Sequence, residues 1–193
     1  MEKVVVVVGG GRSSRMGVDK LALRLEGRTL LERCISAGLT WASRAIVAGD
    51  EPDAWVSDAR VTFRREDPPF GGPVAGLAAA LAVAPTADEV MILAGDLAHP
   101  DAAVALLSPT RLRSDGVALL DAEGWPQYLA GRYFAASVRR AIAALDTVRD
   151  SSVRRLMRPL DVTLLPAPAF ATLDLDTPEV AKISGAIDPQ MRI

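Results

Sequence analysis

The chain alternates short apolar runs with amphipathic ones. Val4–Val8 is an unbroken β-branched run that stops at three glycines, Gly9–Gly11. It is long enough for a buried strand and too short for a helix. "GRTLLERCISAGL" carries helical spacing with Gly38 as its stop, "RAIVAG" and "RVTF" read as strands, and "GPVAGLAAALAVAP" is an alanine-rich helix ending before Pro85. "EVMILAG" predicts a further buried strand, and "HPDAAVALLSP" a helix with Pro100 in its first turn. "GVALLDA" and "PQYLAGRYF" read as two strands around a turn at Glu123-Gly124. "AASVRRAIAAL" and "SSVRRLMRPL" read as helices, "DVTLLP" as a strand, and "TPEVAKISGAI" as a last helix capped by Thr177 with Pro178 at its first position. Such alternation implies right-handed βαβ units, hence an α/β fold with a doubly wound, mostly parallel sheet. Ligands of such sheets sit beyond the C-terminal strand ends, where strand order reverses. Attention therefore falls on Gly9–Lys20, Gly49–Asp50, Arg65–Pro73 and Gly95–Pro100.

Composition sharpens this picture. The 193 residues suit one domain; half are apolar but only 5% aromatic, so the core is aliphatic. Net charge is −2, from 22 basic and 24 acidic residues well mixed along the chain, which speaks against nucleic-acid or membrane-surface binding. No apolar stretch approaches the roughly 20 residues of a membrane span, and no signal peptide is expected ahead of the first strand. The single cysteine, Cys34, fits a reducing compartment and reads as a small core residue. A cytoplasmic protein is expected.

The loop "GGGRSSRMGVDK" is rich in donors. Its glycines let backbone amides approach a ligand, Ser13 and Ser14 add hydroxyls, and Arg15 and Lys20 add a planar and a point charge. Together they suit a polyphosphate. Neither a dinucleotide fingerprint nor a P-loop fits, because Ser14 stands where the third fingerprint glycine belongs and Val18-Asp19-Lys20 follows Gly17. Asp67 lies in a proline-glycine turn, Asp96 directly after a buried strand, and Asp174 and Asp176 just before the last helix. Each is either a capping carboxylate or a cation ligand. His99, near a helix start, reads as structural, and the arginines at 139, 140, 149, 154, 155 and 158 read first as a solvated face.

These stretches, in order, resemble the molybdenum-cofactor guanylyltransferases, the MobA-like nucleotidyltransferases, whose loop reads G-G-x-S-x-R-M-G-x-D-K. The likeness continues through "GRTLLER", "REDPPFGGPVAGL", "AGDLAHP", "PQYLAGRY", "SSVRRLM" and "LDLDTPE" and so covers nearly the whole chain. It implies a Rossmann-like single domain over 1–193, with a nucleotide-binding half over about 1–100 and an acceptor-side half beyond. It implies a Mg²⁺-dependent transfer of GMP from GTP to molybdopterin cofactor, and transient contact with cofactor-biosynthesis or molybdoenzyme partners. Carried over by position, Gly9, Gly10, Gly11 and Ser13 line the nucleotide loop, and Arg15 and Lys20 meet its phosphates. Asp67 falls at the nucleotide-binding aspartate; Gly72, Pro73 and Gly76 form the turn beside the base; Asp96 is the magnesium ligand. Asp176 is expected as a second ligand, and Ser152, Arg154 or Arg155 as a contact to the acceptor phosphate.

The departures are specific. Val8-Gly9 stand where the family has Leu-Ala, Gly95-Asp96-Leu97-Ala98 replaces its C-D-x-P, and carboxylates at 174 and 176 replace its late asparagines. Two other functions therefore stay open: a nucleotidyltransferase of another NTP or acceptor phosphate, and a nucleotide-binding partner protein without catalysis.

Overall fold

The computed structural model describes residues 1–9 and 20–175, with Lys20 as backbone alone. The parallel core comprises β1 (Lys3–Val8), β4 (Arg44–Ala48), β5 (Val61–Phe63) and β6 (Glu89–Ala94). Beyond it lie β7 (Gly116–Leu120), β8 (Pro126–Phe134) and β9 (Val162–Pro166). They form one seven-stranded sheet in the order β5-β4-β1-β6-β8-β7-β9. Among the described strands of this sheet, β8 alone runs antiparallel to both neighbours. The doubly wound, mostly parallel α/β fold expected from the alternation is thus observed.

The valine run owes its uniformity to a position buried on both faces. Val4, Val6 and Val8 enter one core, with Leu77 of α2 (Pro73–Ala82), Val138 of α4 (Ala135–Ala143) and Leu156 of α5 (Val153–Met157). Val5 and Val7 enter the other, with Leu31 and Ile35 of α1 (Leu30–Gly38) and Val104 of α3 (Pro100–Leu107). Burying each such side chain contributes about 1.5–3 kcal/mol. At the opposite end of the sheet from the strand C-termini of β1 and β6, Glu89 and Arg132 make a buried ion pair at 3.4 Å. Arg132 also donates to the carbonyls of Leu107 and Ser108.

The helix expected from Gly27 begins instead at Leu30. Thr29 caps it, with a reciprocal Glu32 capping box. The residues before it fold into an unpredicted hairpin, β2 (Arg24–Leu25) and β3 (Arg28–Thr29). Its two turn residues, Glu26 and Gly27, both have positive φ (54° and 80°), as a primed turn requires. The helices after β8 stop early, α4 at Ala143 and α5 at Met157, while Pro100 does sit in the first turn of α3.

Candidate active site

The chain leaves β1 for β4 and β5 on one side and returns through α2 to β6 on the other. Strand order therefore reverses beside β1, and its C-terminal end is the expected ligand crevice. Gly9 stands there, donating its N–H to the Ala48 carbonyl at 3.2 Å, while Gly95 donates to the Val8 carbonyl at 3.1 Å. Leu21 fills the notch between the two glycines. A Cβ on Gly9 would stand 2.9 Å from its Cδ1, and one on Gly95 would stand 2.7 Å from its Cδ2. Leu21 belongs to a short 3-10 turn, Lys20–Ala22, so this notch anchors the backbone next to Lys20. Gly10, Gly11, Ser13, Arg15 and Asp176 lie outside the described residues, as do the side chain of Lys20 and the expected helix from Thr177.

Asp96, half-buried, follows β6 directly. The segment after it pairs antiparallel with residues 173–175: Leu97 opposes Asp174, Ala98 N–H donates to the Leu173 carbonyl at 2.9 Å, and Leu175 N–H to the Asp96 carbonyl at 3.1 Å. Two carboxylates far apart in sequence thereby come to neighbouring positions. From below, α1 supports this segment: Arg33 donates to the Ala98 carbonyl at 3.2 Å and the Cys34 thiol to the Ala94 carbonyl at 3.3 Å. Burial, then the Asp96 charge, pushes the Cys34 thiol up, so it is a neutral core group, as its sequence context suggested.

Asp67, Gly72, Pro73 and Gly76 sit at the entry to α2. Asp67 is exposed. Gly72 takes a φ of 88°, and a Cβ on Gly76 would stand 3.2 Å from that of Ala48, so Gly76 lets α2 close onto the C-terminal end of β4. Asp150 N–H donates to the Gly71 carbonyl at 2.8 Å, and Arg149 to that of Pro68 at 3.3 Å, which ties this turn to the chain before α5.

Beside the Leu97–Asp174 bridge opens a cavity of about 530 Å³, lined among others by Ala94, Leu97, Trp125, Tyr128, Arg154 and Asp174. Its wall is shaped by an irregularity in β8. The pairing with β7 jumps from Ala118↔Gly131 to Leu119↔Gln127, leaving residues 128–130 unmatched on that side. Such bulges re-aim side chains next to sites. The buried Tyr133 hydroxyl holds this one, donating to the Tyr128 carbonyl at 2.8 Å. The sequence reading missed the bulge.

The basic residues of the second half divide clearly. Arg139 donates to the Ala87 carbonyl, Arg140 pairs with Asp115 at 3.0 Å, and Arg155 with Asp146 at 3.3 Å. Ser152 caps α5 by accepting from Arg155 N–H. Arg154 instead lines the cavity, with no ion pair among the described residues. Of Ser152, Arg154 and Arg155, it is therefore Arg154 that the fold aims at the space beside Asp174. His99 packs edge-on against Phe170, a structural contact.

A model of the MobA-like NTP transferase domain matches residues 5–164. The chain belongs to that family. A molybdenum cofactor guanylyltransferase of Xanthomonas euvesicatoria pv. vesicatoria is 33% identical over 90% of this chain and 89% of its own. Among solved structures, Rv0371c from Mycobacterium tuberculosis H37Rv superposes with a TM-score of 0.74 at 22% identity, over 95% of this chain and 97% of that one; it has also been solved in complex with manganese. The 2-C-methyl-D-erythritol 4-phosphate cytidylyltransferase of Thermus thermophilus has the same fold, with a TM-score of 0.64 at 18% identity, over 95% and 97% of the two chains.

Proposed function

We propose that this MobA-like protein is a molybdenum cofactor guanylyltransferase of the cytoplasm, moving GMP from GTP onto the phosphate of a molybdopterin. The observation that carries the reading is the meeting, beyond the C-terminal ends of the central strands, of the Gly9 crevice, the neighbouring carboxylates Asp96 and Asp174 and a cavity holding an arginine without an ion-pair partner among the described residues. The guanylyltransferase relative and the family match support it. Residues up to about 100 form the nucleotide half and the later ones the acceptor side.

In the reaction, an oxygen of the acceptor phosphate forms a bond to the α-phosphorus of GTP as the bond to the departing pyrophosphate breaks. The attacking oxygen is already ionised at neutral pH, so no general base is needed. The task left to the protein is to bring two polyanions together and offset their charge. The loop Gly9–Ser13 cradles the triphosphate, and Arg15 and Lys20 neutralise its outer phosphates. Asp67, Gly72, Pro73 and Gly76 position the nucleoside. Arg154 draws in the acceptor phosphate.

The carboxylates fit a magnesium ion. Among the described residues no cluster of three or more acidic, histidine or cysteine ligands occurs. One or two carboxylates plus substrate phosphates and water is how Mg²⁺ is commonly held, whereas a protein cage is not. Asp96 would hold it, joined by Asp174 from the neighbouring segment, or by Asp176, which lies outside the described residues. The manganese complex of the mycobacterial neighbour is consistent with a divalent ion in this fold.

Pyrophosphate release measured with GTP, CTP, UTP or ATP, with and without Mg²⁺, tests the reading. GTP alone should support transfer to a molybdopterin acceptor, and both Lys20→Ala and Asp96→Asn should slow it by about 100-fold or more while the melting temperature holds. Equal turnover with CTP would move the assignment to another nucleotide, and near-normal rates in both variants would remove the site.

A further inference from the structure

The turn between β7 and β8 presents a tryptophan in an unusual manner. Trp125 is 61% exposed, although indole is among the costliest surfaces to leave in water. Its backbone is nevertheless firmly held. Its N–H donates to Asp121 Oδ1 at 2.7 Å, and its carbonyl accepts from Asp121 N–H at 3.1 Å. Gln127 donates to Asp121 Oδ2 at 2.6 Å, and Gly124 supplies the positive φ of the turn, 86°. The brace fixes the strand-turn and leaves the ring outside it. Trp125 lines the 530 Å³ cavity, together with Tyr128 from the bulged part of β8 and Arg154 from α5.

We infer that Trp125 is a stacking platform for a planar, fused-ring heterocycle whose phosphate is taken by Arg154, so that the cavity selects its acceptor by ring as well as by charge. The inference rests on the guanylyl-transfer reading and goes beyond it in assigning the ring contact. Three features support it. A rigid aromatic on a braced turn loses little conformational freedom when a ring stacks on it. The cavity offers a second aromatic, Tyr128, and a cation for the appended anion. Finally, Trp125 buries little of its own surface within the protein, so the fold has small use for it.

The probes are hydroxymethylpterin and its phosphate monoester, excited where the protein does not absorb. Stacking on indole should quench pterin emission in the wild type. Trp125→Leu should abolish the quench and weaken binding of both probes by about 10-fold or more, as base-on-aromatic stacking does elsewhere. Trp125→Phe should retain affinity within about threefold with a smaller quench. Arg154→Ala should weaken the phosphate ester and leave the free alcohol unchanged. A GTP melt with Mg²⁺ on the same preparations reads the parent reaction separately. If GTP stabilises the wild type but the probes bind Trp125→Leu as well as wild type, or bind neither, the stacking role is overturned and guanylyl transfer stands. If GTP gives no stabilisation, the parent reading fails and this inference with it.

Discussion

Tyr133 lies across two positions that only glycine can occupy: a Cβ on Gly116 or on Gly131 would collide with its ring. Burial pushes its hydroxyl up, so it stays a neutral donor to the Tyr128 carbonyl throughout the working pH range. Because that carbonyl belongs to the bulge facing the cavity, one oxygen atom links core packing to the cavity wall. Tyr133→Phe should cost about 1 kcal/mol of stability and raise the KM for the acceptor while that for GTP stays put; steady-state kinetics with each substrate varied in turn checks this. Nothing in "PQYLAGRYF" discloses this role, because a tyrosine in an alternating strand reads equally as surface or core.

Leu21 and the two glycines beneath it work as one joint between elements, coupling the turn Lys20–Ala22 to the ends of β1 and β6. Gly9→Ala should overpack the notch and lose about 1–3 kcal/mol, whereas the same change in a Leu21→Ala background should cost much less. A double-mutant cycle by denaturant unfolding measures the coupling. The joint gives physical sense to Gly9 and Gly95 standing where the family more often has alanine and cysteine. A second junction is Asp115, ahead of β7, which accepts from Ser137 Oγ of α4 at 2.6 Å, Asp161 N–H before β9 at 2.9 Å and Arg140 at 3.0 Å. The Ser137 hydroxyl first, then the Asp161 N–H, hold its carboxyl below the usual carboxylate range. The ionised form is thus the one the fold favours. Its contribution is present above the unfolded-state pKa, about 4, and is lost as pH falls through the lower folded value. Asp115→Asn should therefore lower stability by about 1–3 kcal/mol at pH 7, with the gap to wild type closing below about pH 4; urea melts at both pH values check the sign.

At the scale of the molecule, the sequence pattern disclosed the order of strands and helices and, through Val4–Val8, the buried centre of the sheet. It placed Asp96 directly after a buried apolar run, which is where the structure has it, past the end of β6. It did not disclose the hairpin at Arg24–Thr29, whose strands are too short to show a period, or the bulge in β8, since local alternation is silent on pairing register. Nor could it separate Arg154 from Arg155, because neighbouring helix positions differ in sequence by nothing except direction. The bridge between Leu97 and Asp174 was equally hidden, and it bears on how the protein is made. Synthesis proceeds at roughly 5–20 residues per second, so the strands that frame the crevice emerge several seconds before the segment that completes it. The newborn chain thus carries Asp96 for several seconds before Asp174, from the segment that pairs beside it, is made. Completion of the bridge at the end of β6 is thus a late event of biogenesis, and a ribosome stalled before Asp174 would display the residues after β6 without the segment that pairs with them.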